Sequence, residues 1–131
     1  MLVGIKLPPK AQIGGGLYIA HSGGIWINPA VVMGEKCTVS TQVMLGAAGS
    51  TNRGAPVLGD RVWVGPKATI NGPLRVGSGA VISPNSLVVS HVPENAVVIG
   101  VPAKILSYTG SDKLIEVPPK EPRNIESQQP K

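Results

Sequence analysis

The chain has 131 residues, room for one domain, and with no Phe, two Trp and two Tyr against 17 Gly and 13 Pro its interior has to be filled by small and branched aliphatic side chains between frequent turns. The net charge of +5 is spread singly over Lys6, Lys10, Lys36, Arg53, Arg61, Lys67, Arg75 and Lys104, which argues against the clustered basic stripe of a nucleic-acid binder. Cys37, the single cysteine, has no partner for an internal disulfide, and no apolar run approaches the ~20 residues of a membrane span, so a cytoplasmic protein without membrane insertion is expected.

From Leu7 an aliphatic residue returns every six positions: Leu7, Ile13 and Ile19, then Ile27, Met33, Val39 and Leu45, then Leu58, Val64, Ile70, Val76, Ile82 and Val88. Gly follows at 14, 34, 46, 59, 65 and 77 and Asn at 28 and 71, residue types that tolerate turns. Four places after each aliphatic stands a second small or apolar residue, from Ala11, Leu17 and Gly23 through Val31, Cys37 and Val43 to Val62, Ala68, Leu74, Ala80, Ser86 and Val92. A period of six describes a short strand and a corner, with these two positions turned inward and the rest outward. Three hexads make one triangular coil, and coils stack at about 4.8 Å into a column narrow enough to exclude Phe. A helix does not fit this period, and a β-sandwich needs longer alternating runs.

The register breaks twice. Two extra residues enter between Ile19 and Ile27, assigned to Gly23–Trp26, and seven more than a hexad separate Leu45 from Leu58, over Ala47–Val57. Insertions leave such a column as loops, where binding residues gather. Residues 1–106 are expected to form the solenoid domain and residues 107–131 a polar, Pro-rich tail, disordered or ordered only on contact.

The segments Ile19-Ala20-His21-Ser22-Gly23-Gly24-Ile25, Gly59-Asp60-Arg61-Val62-Trp63-Val64-Gly65 and Gly100-Val101-Pro102-Ala103-Lys104-Ile105 resemble the left-handed β-helix acyltransferases of the hexapeptide-repeat family. They are similar to serine O-acetyltransferases and to the related O-acetyltransferases of capsular and lipopolysaccharide sugars. The resemblance implies an all-β fold, a left-handed parallel β-helix with a mid-chain loop and an irregular tail. It also implies an acetyl-CoA cosubstrate, no metal, and a homotrimer with each site between two columns. His21 matches the histidine that takes the proton from the acceptor hydroxyl, and a neutral imidazole suits that task near pH 7.

By position the resemblance assigns Gly65, Pro66, Pro84, Val89 and Ser90 to the pantetheine arm and Lys104 to the CoA phosphates. From their place in the long insertion, Asn52 and Arg53 are expected to reach the acceptor or the carbonyl oxygen across a subunit boundary. His91 is read as a solvated corner residue, Cys37 as core, and Trp26 and Trp63 as outer-face packing. Two departures weigh against an amino-acid acceptor: Lys6 stands fifteen residues before His21, where serine acetyltransferases carry an aspartate, and Ala55 precedes Pro56, where they carry a histidine. A sugar or similar small hydroxyl is therefore the expected acceptor. The alternatives are serine O-acetylation, acetylation of an antibiotic or nucleotide sugar, and a non-enzymatic scaffold. A carbonic anhydrase on this fold needs three zinc-bound histidines, and the chain has two.

Overall fold

In a strand, side chains two apart share a face, so the inward residue that ends one hexad and the inward aliphatic that opens the next bracket a short extended segment. The computed structural model, which describes residues 5–6, 10–20, 23–47 and 54–115, winds these segments into a column of parallel rungs. The lowest coil holds β1 (Ile5–Lys6), β2 (Gln12–Ile13) and β3 (Tyr18–Ile19). The next holds β4 (Ile25–Ile27), β5 (Val32–Met33) and β6 (Thr38–Val39). Above it lie β7 (Met44–Gly46), β8 (Val57–Leu58) and β9 (Trp63–Val64), then β10 (Thr69–Asn71), β11 (Arg75–Val76) and β12 (Val81–Ile82). The top coil holds β13 (Leu87–Val88), a parallel bridge from Val92 to Val76, and β14 (Val97–Gly100), after which β15 (Ala103–Ser107) turns back antiparallel to β14.

Three sheets form the faces of the prism. The first runs β1-β4-β7-β10-β13, the second β2-β5-β8-β11, and the third β3-β6-β9-β12-β14-β15. The inward positions make the core: Ile27, Met33, Val39, Leu45, Leu58, Val64, Ile70, Val76, Ile82 and Val88 are all buried, as are Val31, Cys37, Val43, Val62, Ala68, Leu74, Ala80 and Val92 between them. Fully burying an aliphatic of this size contributes roughly 1.5–3 kcal/mol, and each coil collects that only by stacking on the next. Ser86 also points inward, where its hydroxyl accepts the Gly100 N–H at 3.1 Å at the top of the column.

Two sequence-based expectations change in detail. Gly23 does not take an inward place: it is half-buried, and Ile25, 1% exposed, fills the column position beneath Val43 and Ala68. The glycines after the inward aliphatics also serve a different purpose from turn geometry. Gly14, Gly34, Gly59, Gly65 and Gly77 are not in the left-handed region; a Cβ on Gly34 would stand 2.7 Å from the Gly59 carbonyl carbon, and one on Gly14 2.6 Å from that of Gly34. Glycine is there because successive coils pass too closely for any side chain. The left-handed conformation falls two residues later, at Lys36, Gln42, Arg61, Lys67, Asn85 and Asn95, with φ between 56° and 62°. Each of these carries a coil-to-coil bond, for example Arg61 N–H to Glu35 O at 2.8 Å and Lys67 N–H to Thr41 O at 2.9 Å, which holds a strained corner in place.

Beyond β15 the chain returns along the outside of the third face. Ser111, 1% exposed, donates its hydroxyl to the Arg61 carbonyl, and Arg61 Nη2 meets Asp112 Oδ1 at 2.6 Å. Thr109, Gly110, Lys113 and Leu114 line a cavity together with Val81 and Val97, so residues 109–114 form a strap along this face. No helix among the described residues is long and apolar enough to cross a membrane.

Candidate active site

The corner between the third and first faces carries a regular ladder. On its near side Ala20 N–H bonds Val39 O, Ser40 N–H bonds Val64 O, and Gly65 N–H bonds Ile82 O, at 3.0, 3.1 and 2.8 Å. On its far side Gln42 N–H bonds Gly23 O, Lys67 N–H bonds Thr41 O, and Asn85 N–H bonds Pro66 O, at 3.1, 2.9 and 3.0 Å. Ala20 is thus equivalent to Ser40 and Gly65, and Gly23 to Thr41 and Pro66. In the upper coils the equivalent residues are consecutive; between Ala20 and Gly23 stand two more. The surplus pair of the first register break is therefore His21-Ser22, not two residues within Gly23–Trp26. His21 and Ser22 themselves lie outside the described residues.

This corner and the adjoining third face enclose a cavity of about 290 Å³ lined by Tyr18, Ala20, Thr38, Ser40, Trp63, Pro66 and Leu114. Outward positions on the third face read Tyr18, Thr38, Trp63, Val81 and Val97 up the rungs. Ser40 is buried beside this column, as is Thr38, whose Oγ1 has no hydrogen-bond partner among the described residues. Leu114 of the strap forms the cavity's outer wall. Neither the strap nor this cavity follows from the hexads, although an outward column with Tyr, Trp and two Val is a signal that something covers it.

Three of the residues assigned from sequence to the cosubstrate share the corner of Ala20 and Gly23: Gly65, buried, Pro66, half-buried, and Pro84, exposed one coil higher. Val89 and Ser90 do not; they follow β13 on the corner between the first and second faces, above the long insertion. Lys104 lies exposed on β15, opposite Ile99. Asn52 and Arg53 lie outside the described residues. Asn71, with its amide oriented to suit its neighbours, donates to the Gly46 and Ala47 carbonyls at 3.2 and 3.0 Å, fixing the start of the long insertion.

Cys37 is core, its thiol donating to the Gly59 carbonyl at 3.2 Å, and burial pushes its pKa up. His91 is exposed but not merely solvated: its Nδ1 accepts the Arg75 N–H at 2.9 Å, which places the ring proton on Nε2 and caps a corner. Trp26 is 37% exposed on the first face, close to Met44, 46% exposed on the next rung.

Residues 55–90 match the family described as bacterial transferase hexapeptide, six repeats. The chain is a left-handed hexapeptide-repeat solenoid whose sequence and fold are similar to those of serine acetyltransferases. It is 36% identical over 110 residues to a serine acetyltransferase of Mycobacterium tuberculosis, covering 83% of this chain and 48% of the relative. With a Helicobacter pylori serine acetyltransferase it shares 35% identity over 107 residues, or 81% of this chain and 63% of the relative. The solenoid superposes on the Neisseria gonorrhoeae serine acetyltransferase in complex with serine with a TM-score of 0.71 and 37% identity, over 76% of this chain and 40% of that one. On a serine acetyltransferase in complex with CoA the TM-score is 0.70 at 35% identity, over 75% and 40%. The chain thus spans less than two thirds of the length of these relatives.

Proposed function

We propose that this solenoid is the catalytic column of an acetyl-CoA-dependent O-acetyltransferase in which His21 is the general base. The observation that carries the reading is the surplus pair: in a corner whose ladder is regular above it, the two additional residues include the one histidine of the lower coils, and Ala20, which precedes them, lines a cavity with Ser40 and Pro66. The imidazole takes the proton of the acceptor hydroxyl as its oxygen attacks the thioester carbonyl. It then returns that proton to the departing CoA sulfur. Gly65, Pro66 and Pro84 supply corner backbone for the pantetheine arm on the same edge, and Lys104 is the cation for the CoA phosphates. Val89 and Ser90, on a different corner, serve a neighbouring column in a homotrimer, and Asn52 and Arg53 of the long insertion act on the acceptor. The exposed Trp26 and Met44 on the first face support such an assembly.

Serine is the acceptor the relatives favour, because the similar proteins are serine acetyltransferases and one is solved with serine. A sugar hydroxyl is the second reading, favoured by Tyr18 and Trp63 in the cavity wall, where flat rings offer a face to a pyranose, and by Ala55 and Lys6 at the two departures named above. Thiol release from acetyl-CoA, measured with serine and with a panel of hexoses, separates the two. His21→Ala is expected to lower turnover about 10²- to 10⁴-fold with the melting curve unchanged. Equal turnover in the variant would refute the base assignment, and absence of turnover and of CoA binding in the intact protein would leave a scaffold.

A further inference from the structure

The segment that carries the base is held on both sides, and one of the two holds is unlike its counterparts. Before it, Ala20 N–H bonds Val39 O as the equivalent residues do in every coil above. After it, the Gly23 carbonyl accepts the usual Gln42 N–H at 3.1 Å and, in addition, the Thr41 hydroxyl at 2.8 Å. The equivalent carbonyls of Thr41 and Pro66 accept only Lys67 N–H and Asn85 N–H, and the residues stacked above Thr41 at this corner are Pro66 and Pro84, with no side-chain donor to offer. The second bond is thus confined, among the described residues, to the rung where the corner has been lengthened. Gly23 and Gly24 both have positive φ, 109° and 70°, and a Cβ on Gly24 would lie 3.0 Å from Gln42 Cγ, so the coil above presses directly on this turn.

A corner with two additional residues has more conformations than its two-residue neighbours, and fixing both ends is what narrows them. We propose that Thr41 is a positioning residue for the general base: its hydroxyl, clamped on the Gly23 carbonyl, fixes the chain two residues after His21. The assignment rests on the reading of His21 as the base. Thr41 touches no reacting atom. It acts through Gly23, two residues after His21, by limiting the imidazole to orientations from which it reaches the acceptor hydroxyl.

The test compares Thr41→Val, which keeps the shape and removes the donor, with Thr41→Ser, which restores it, and with His21→Ala, all in the full chain. Thr41→Val is expected to lower kcat about ten- to a hundredfold while KM for acetyl-CoA stays within error and the melting temperature falls by no more than a few degrees. Thr41→Ser recovers most of the loss. Wild-type kcat in Thr41→Val alongside an inactive His21→Ala overturns the Thr41 assignment alone. So does a kcat loss that Thr41→Ser fails to rescue, since a structural role does not depend on the hydroxyl. Full turnover in His21→Ala removes the base reading, and the Thr41 assignment with it.

Discussion

The hydroxyl of Ser111 donates to the carbonyl of Arg61 at 2.5 Å across 50 positions of sequence, and it is the innermost attachment of the strap to the column. The neighbouring Arg61–Asp112 pair is the more conspicuous contact and the weaker one, since its side chains are 41% and 84% exposed and water screens them. Ser111→Ala is expected to raise the opening of the strap about tenfold, in line with roughly 1–1.5 kcal/mol for one lost hydrogen bond, read as faster tryptic cleavage after Lys113. Asp112→Asn is expected to change that rate less than threefold. Equal rates for the two variants would mean the hydroxyl does not hold the strap.

The close stacking of coils makes a second prediction. Gly34→Ala would push a methyl group against the Gly59 backbone and the Asp60 carboxylate, neither of which can retreat without opening the rung. A loss of about 1–3 kcal/mol is expected, a fall of several degrees in melting temperature. Gly15→Ala is the matched control: an added Cβ there meets nothing within 4 Å, so its effect should stay within about 0.5 kcal/mol.

Cys37 links burial to pH. Its pKa is raised mainly by desolvation, so the folded state binds the thiol proton more tightly than the unfolded chain does. The stabilisation is complete below the unfolded thiol's pKa and is lost as pH rises through the folded value. The protein is therefore expected to lose stability on the alkaline side, and Cys37→Ala, measured by denaturant titration at neutral and alkaline pH, should show a shallower decline. Native Cys37 should also resist iodoacetamide until the column unfolds.

Thr38 presents the opposite case, a buried hydroxyl without a partner among the described residues. Thr38→Val removes an unsatisfied polar atom from a strand and keeps its branched shape, so a gain of between about 0 and 1 kcal/mol is expected. A clear loss would show that the hydroxyl bonds to something in solution.

The core was readable from residue types because the six-residue period leaves no freedom: Ala68 and Ile70 must both face inward if Val64 and Val76 do, and all four are buried. The corners were less readable. Gly34 and Gly59 look like turn glycines in a single hexad, yet their requirement comes from the coil above, which the sequence places 25 and 19 residues away. The first register break illustrates the same limit. Hydrophobic pattern alone allowed Gly23 an inward place, and only the ladder from Ala20 to Val39 and from Gln42 to Gly23 assigns the surplus to His21-Ser22. The strap was hidden for a different reason. Its polar composition contributes little to any core, and what holds it among the described residues is one hydroxyl and one ion pair, with Leu114 walling the cavity on the outward column.

A prism of parallel rungs ends, in principle, in an open template onto which another copy's lowest coil can add, and fibres grow that way. Here β15 runs against β14 and occupies the upper edge of the third face with reversed polarity. An incoming parallel rung finds its donors and acceptors out of phase on that side, so the hairpin limits head-to-tail growth at the upper end.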